Sequence, residues 1–410
     1  MSQINAGDTA WLLASTALVM LMTPGLAFFY GGMVRRKNAL STIMMSFMCL
    51  GLIGVLWVVY GYSLAFGPDA GGLGIIGNLN WAFLNNVGQD PSTVYATTTP
   101  HLAFMAFQMM FAIITVALIT GAVVERMKFS SIVIFATAWF TLVYCPVAHW
   151  VWGSGGWLAN LGALDFAGGT VVHINAGVSA LALALLLGPR KGYQNGVQMG
   201  SHNVPFVVIG AGLLWFGWFG FNAGSALTSG GLAASAFVAT NTAAAMAALT
   251  WMCLSWFYSR PTVSGIATGA VAGLVAITPA AGFVNPIMGI PIGIGVSLVC
   301  FFMMRLRNKT KIDESLDVWA CHGMGGTWGA IATGIFASTA LTSAGGLING
   351  NVKQVGVQLL AVAVVWVFSF GMTWIIGKVI DVTVGLRVSE TEESVGLDIS
   401  QHGESAYGEE

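Results

Sequence analysis

Two histidines lie deep inside long apolar runs, each a short way past a carboxylate: Asp165-Phe-Ala-Gly-Gly-Thr-Val-Val-His173 and Asp317-Val-Trp-Ala-Cys-His322. On a helix rising about 1.5 Å per residue, His173 is roughly 12 Å in from Asp165 and His322 roughly 8 Å in from Asp317. An ionisable group at that depth in a bilayer is costly and marks a functional site by default; two on related helices suggest a facing pair. Neutral imidazoles can share an N–H···N bond that fixes both tautomers and leaves outward nitrogens for a solute. In a low-dielectric passage such rings suit a small neutral hydrogen-bonding molecule better than a cation. A purely structural pair remains open. A metal site is the poorer reading, because no third ligand accompanies the two rings at depth.

Asp165 opens its helix, where its side chain can cap free N–H groups and where its charge favours an approaching cation. Aromatic residues gather where outer helix halves would meet: Phe107, Phe111, Trp152, Trp218 and Phe221. Ring faces replace part of a cation's hydration shell, and with the hydroxyl of Ser225 they would form a weak ammonium-sized site. Trp150, Trp157 and Trp215 read as interfacial anchors.

The elements that must position these residues follow from composition. Of 410 residues, 56% are hydrophobic and 8% charged, and the mean hydropathy is +0.79, where a soluble domain carries roughly a quarter charged. An ordinary soluble enzyme is excluded, and so is a basic nucleic-acid binder, since the net charge is −1 and no polybasic run occurs. The 54 glycines suit close helix approach in a membrane. Five cysteines, Cys49, Cys145, Cys253, Cys300 and Cys321, lie in apolar segments without metal or disulfide spacing.

Cutting the chain at charged and turn-rich segments predicts an all-α integral membrane protein of eleven spans. They fall at 8–34, 39–66, 101–124, 130–150, 165–188, 204–226, 231–257, 262–282, 284–304, 315–337 and 354–385. Alternating the loops places Arg35, Arg36, Lys37, Arg126, Lys128, Arg190, Lys191, Arg260, Arg305, Arg307, Lys309, Lys311, Lys378 and Arg387 on one side, and Lys353 alone on the other. The basic side is cytoplasmic, so the N-terminus is outside and the C-terminus inside. The first span lacks a preceding basic stretch and reads as a retained helix. Because the Asp–His pattern recurs in the fifth and tenth spans, and Phe-Phe-Tyr-Gly-Gly (28–32) is echoed by Phe-Gly-Phe-Asn-Ala-Gly (219–224), spans 1–5 and 6–10 form an expected inverted repeat.

The fifth-span string through His173 to Gly188-Pro189-Arg190 closely resembles the signature of the ammonium transporter/methylamine permease/Rhesus family, on its ammonium-transporter branch. Supporting strings are Phe107-Gln-Met-Met-Phe111, Trp218-Phe-Gly-Phe221-Asn-Ala-Gly-Ser225, Ile277-Thr278-Pro279-Ala280 and Thr383-Val-Gly-Leu-Arg387. The resemblance implies a homotrimer in the cytoplasmic membrane, with a pore in each subunit conducting ammonia derived from ammonium and no cofactor. It implies an outer recruitment site of Phe111, Trp152 and Ser225 lined by Phe107. It also implies a double-phenylalanine gate of Phe111 and Phe221, a twin-histidine pair of His173 and His322, Asp165 as supporting acid and Thr278 near the outer gate.

The resemblance further implies a cytoplasmic partner, the trimeric PII nitrogen-signalling proteins. Residues 1–386 would form the membrane domain and 387–410 a regulatory tail. The tail carries Glu390, Glu392, Glu393, Asp398, Glu404, Glu409 and Glu410 and no base after Arg387; a merely solvated acidic tail is the alternative. Three rival functions remain: an electrogenic or ion-coupled transporter, which the inverted repeat permits equally; a sensor acting through PII; and a membrane enzyme, for which no nucleophile–base set or phosphate loop is present.

Overall fold

The computed structural model describes residues 3–193 and 199–408; Glu409 and Glu410 of the acidic tail lie outside them. Among the described residues the chain is helical, with β pairing confined to isolated bridges. Nine of the described helices are long and apolar enough to cross a membrane: α1 (Ala6–Met33), α2 (Arg36–Phe66), α3 (His101–Thr120), α4 (Phe129–Leu161), α5 (Gly169–Leu187), α6 (Val204–Gly224), α7 (Gly231–Tyr258), α9 (Pro286–Asn308) and α11 (Val352–Thr383). Two shorter helices occupy the remaining expected positions. These are α8 (Val263–Ile277) and α10, a π turn over Trp319–Met324 running into Gly325–Phe336.

The departures from the expected boundaries have local causes. The segment expected at 262–282 stops at Ile277 and continues as turns, because Pro279 has no N–H to carry the helix on. The fifth and tenth helices begin later than 165 and 315. Each is preceded by a residue in the left-handed region, Gly168 at φ +113° and Asp317 at φ +58°, and the helix starts only after that reversal.

Helices α5 and α10 share a local form. Both open with a π turn, over Gly169–Ile174 and Trp319–Met324, and each π turn carries its histidine. Such turns cluster at functional sites. The two helices meet so closely that a Cβ on Gly177 would sit 2.1 Å from the Gly323 nitrogen. A similar approach joins α1 and α6, where a Cβ on Gly210 would lie 2.3 Å from the Phe29 nitrogen. Both of these helices begin on an asparagine cap: Asn5 accepts from the Asp8 N–H and Asn203 from the Phe206 N–H, each at 3.0 Å.

One face of the bundle gathers the basic loops. Glu125 bridges Arg35 at 2.8 Å and Arg190 at 3.1 Å, and Asp313 holds Arg190 at 2.8 Å. Burial opposes the charge on Glu125, but Arg190 and Arg35 overcome it and hold its carboxyl below the usual range. Arg126, fully buried, donates to the carbonyls of Gly188 and Asp313 and to Ser315 Oγ.

The tail packs onto this face instead of trailing into solvent. Glu393 accepts from Arg387 at 2.7 Å, and Lys37 Nζ donates to the carbonyls of Glu393 and Ser394. Asp398 caps α2 by accepting from the N–H groups of Leu40 and Ser41, at 3.1 and 2.8 Å. The Tyr407 ring lies under Arg36, with the guanidinium carbon 4.8 Å from the ring centre.

Candidate functional site

Three cavities succeed one another through the bundle. The outer one, about 200 Å³, is lined by Gln108, Phe111, Trp152, Asp165 and Ser225 among others. Trp152 presents its ring edge-on to Phe111 at 6.0 Å and is fixed by donating Nε1–H to the Asp165 carbonyl at 2.8 Å. Ser225 donates to the Phe221 carbonyl at 2.8 Å, which leaves its oxygen lone pairs free as acceptors. Phe107 stands one layer behind, edge-on to Phe111 at 4.9 Å, and does not line the described cavity.

Beneath it Phe111 and Phe221 stack at 4.1 Å with 21° between their planes, both with no exposed surface. The closed pair separates the outer cavity from a slot of about 10 Å³, roughly the space of one water. The slot is walled by His173, His322, Trp218, Leu118, Val172 and other apolar side chains. Below His322 opens an inner cavity of about 350 Å³, reached by Tyr30, Ser264, Arg305 and Asp317.

The two imidazoles face each other through their Nδ1 atoms at 3.2 Å. Their tautomers follow from Thr278. Its hydroxyl gives its one hydrogen to the Leu274 carbonyl at 2.7 Å and accepts from Trp218 Nε1 at 2.9 Å. Toward His173 Nε2, 3.4 Å away, the oxygen can only accept, so Nε2 carries the hydrogen and His173 Nδ1 is bare. The hydrogen between the rings then belongs to His322 Nδ1. The free acceptor of the pair is His322 Nε2, on the ring that borders both the slot and the inner cavity. Thr278 therefore sits beside the histidines, locking the His173 tautomer.

Asp165 lies under the outer cavity with both oxygens occupied. It accepts from the N–H groups of Gly168, Gly169, Thr170 and Val171, at 2.7, 2.6, 2.8 and 3.2 Å, and from the Thr170 hydroxyl. Asp165 thus caps the start of α5.

Two residues escaped the sequence reading. Gln108 lines the outer cavity, and its Oε1 is buried without a partner among the described residues; it stands inside the quoted Phe107–Phe111 string. Glu314 is fully buried at the start of α10 and stands eight residues before His322, as Asp165 stands eight before His173. That spacing was a usable signal. The counterpart of Asp165 is thus Glu314, and Asp317 instead pairs with Arg307 at 2.8 Å on the wall of the inner cavity. Trp150 also differs from an interfacial anchor: it is buried, donates to the Ile75 carbonyl at 2.8 Å and packs on Phe368.

Comparison with known proteins agrees with this architecture. The model of the Ammonium Transporter Family matches residues 10–407. The chain is 52% identical to "Ammonium transporter Amt1" of Archaeoglobus fulgidus, over 98% of this chain and all of the relative. It is 51% identical to "Ammonium transporter" of Bacillus subtilis, over 98% of this chain and 99% of the relative. The crystal structure of Saccharomyces cerevisiae Mep2 superposes with a TM-score of 0.90 at 37% identity, covering 95% of this chain and 88% of that one. A protein described as "Sensor Amt Protein" superposes at 0.88 with 30% identity, covering 97% and 98%. With its helical fold and multiple membrane spans, this chain belongs to the ammonium transporter family.

Proposed function

We propose that the protein carries ammonium nitrogen across the cytoplasmic membrane as ammonia, through a pore in each subunit of a homotrimer. Eleven spans with the N-terminus outside, arranged as an inverted repeat of α1–α5 and α6–α10, frame each pore. The repeat is supported by the matched π turns of α5 and α10 and the matched asparagine caps of α1 and α6. The observation that carries the functional reading is the sequence of cavities: a polar aromatic vestibule, a closed phenylalanine pair, and a one-molecule slot walled by two imidazoles.

Ammonium is recruited in the outer cavity. The faces of Phe111 and Trp152 attract the cation, Ser225 Oγ and Gln108 Oε1 accept its hydrogens, and the charge of Asp165 supports it from below. A hydrated ion does not pass rings stacked at 4.1 Å, so before entry the ion sheds its hydration shell and one N–H bond breaks, its proton passing to outer-cavity water as hydronium and leaving neutral ammonia. Rotation of Phe111 and Phe221 admits ammonia to the slot. There the bare Nε2 of His322 accepts an ammonia hydrogen and passes the molecule to the inner cavity.

The docked tail, 387–410, is proposed as the regulatory element that a PII-type protein engages from the cytoplasm. Its contacts with Lys37 and Phe129 at the starts of α2 and α4, and with Lys191 after α5, would let it report on the subunit's inner face. Reconstituted vesicles test the transport reading. Ammonium uptake should exceed that of protein-free vesicles manyfold, and equal uptake would refute it. The current after an ammonium jump on a solid-supported membrane separates neutral from electrogenic passage: current in proportion to uptake shows that charge accompanies each ammonia.

A further inference from the structure

Asp165 and Glu314 occupy equivalent places, each eight residues before a histidine and just ahead of a π turn, yet their surroundings differ in kind. Asp165 receives five hydrogen bonds, which occupy both of its oxygens. Glu314 has no exposed surface; its Oε2 accepts from the Trp319 N–H at 3.2 Å, the Val318 N–H also acts on the carboxyl, and Oε1 has no partner among the described residues. A buried carboxylate with an empty oxygen is expensive, whereas a neutral carboxylic acid is not.

The charges that face it give the same answer. Asp317, three residues on, is a second carboxylate, and Arg307 from α9 is the cation that faces the pair. That arginine is committed to Asp317 at 2.8 Å, with its other nitrogens on Asn308 and the Ile312 carbonyl. Arg190 and Asp313, also near, neutralise one another. Tyr30 from α1 faces Glu314 with its hydroxyl given to the Leu118 carbonyl. Cys321 and Tyr193 bring no charge. Two carboxyls and one available cation retain one proton. Burial first, then the Asp317 charge, push the Glu314 carboxyl up to about 7 against the pull of Arg307.

We infer that Glu314 is a one-proton site at the inner end of the pore, which fills and empties through the inner cavity and sets how transport responds to pH on that side. The proton's way out is short: Asp317 lines the inner cavity and is partly exposed there, on the same wall as His322. In the emptying step the Glu314 O–H bond breaks, the proton passes by way of Asp317 to cavity water as hydronium, and Glu314 is left as a carboxylate. The reverse step refills it. With Glu314 protonated, the cluster of Glu314, Asp317 and Arg307 is neutral. Ionised, it carries one net negative charge beneath His322, which holds re-formed ammonium at the inner mouth and slows its release.

The inference rests on the proposed ammonium transport, so uptake is measured beside it. In right-side-out vesicles with the inner pH varied from roughly 6 to 8, a unit either side of the site's value, wild-type inward uptake should fall several-fold with a midpoint near 7. E314Q keeps the shape and the hydrogen-bond capacity and should stay at the low-pH rate throughout. A wild-type pH profile in E314Q overturns the inference while leaving transport intact; absent uptake in the wild type overturns the transport reading instead. Infrared difference spectra of wild-type protein carrying isotope-labelled glutamate provide a measurement independent of how the variant folds. A protonated-carboxyl band that vanishes as pH rises through about 7 is expected, and its absence contradicts the site.

Discussion

At the scale of single residues the pore is ordered by hydrogen-bond direction: Trp218 and His173 both donate to Thr278, and His322 donates to His173. Replacing Thr278 with Val keeps the volume and removes the acceptor. It leaves the buried Trp218 N–H unsatisfied, at a cost of about 1–3 kcal/mol, and frees His173 to take the other tautomer. T278V should therefore unfold at lower temperature in detergent and transport more slowly; wild-type uptake would show that the tautomer lock is not used. Gln108 is tested differently. Q108L should raise the ammonium concentration for half-maximal uptake several-fold with little change in maximal rate, since the residue belongs to recruitment and not to the slot. A lowered maximal rate at unchanged half-saturation would remove Gln108 from the outer site. Glu314 makes stability depend on pH. Its folded-state pKa lies above the ordinary carboxyl value, so the stability it contributes is present below about 4.5 and is lost as pH rises through about 7. The thermal midpoint of the wild type should fall across that window, and that of E314Q should stay flatter.

At the scale of elements, the crossing of α5 and α10 sets the distance between the imidazoles. Adding a methyl at Gly177 would place it 2.1 Å from the Gly323 nitrogen, next to His322, whereas Gly51 has open space around it. G177A should cost about 1–3 kcal/mol by overpacking and lower uptake by pushing His322 from His173. G51A should do neither, and equal behaviour of the two would contradict the crossing as the positioning element. The same scale shows what was legible. Long apolar runs announced most helices, since hydropathy needs only composition over about 20 residues. The late starts of α5 and α10 were not legible from hydropathy, because a left-handed backbone at Gly168 or Asp317 has no hydropathy signature of its own; the end of α8 at Ile277 was marked only by Pro279 two residues on. The two histidines stood out because ionisable groups at depth are rare. The choice between Asp317 and Glu314 as the partner of Asp165 stood out less, because both acids precede His322; the eight-residue spacing points to Glu314, and burial and hydrogen bonds separate the two. Leu118 and Val172 of the slot carry no chemical mark at all; the fold alone assigns them.

For the whole molecule, the tail docks across the basic loops and Phe111 and Phe221 stack over the slot, while the trimer and the gating role of that pair belong to the proposal. Loss of the Asp398 cap should release the tail: D398A is expected to make residues after Arg387 susceptible to limited proteolysis while uptake without any PII protein continues. Resistance equal to wild type would mean that the contacts at Leu40 and Ser41 do not hold it. The most direct test of the central claim, that ammonia passes between His173 and His322, is ammonium uptake in reconstituted vesicles by the wild type and by the variant with both histidines replaced by alanine. Collapse of uptake, or loss of ammonium selectivity in a folded variant, is the predicted result. Wild-type rate with wild-type selectivity would contradict it.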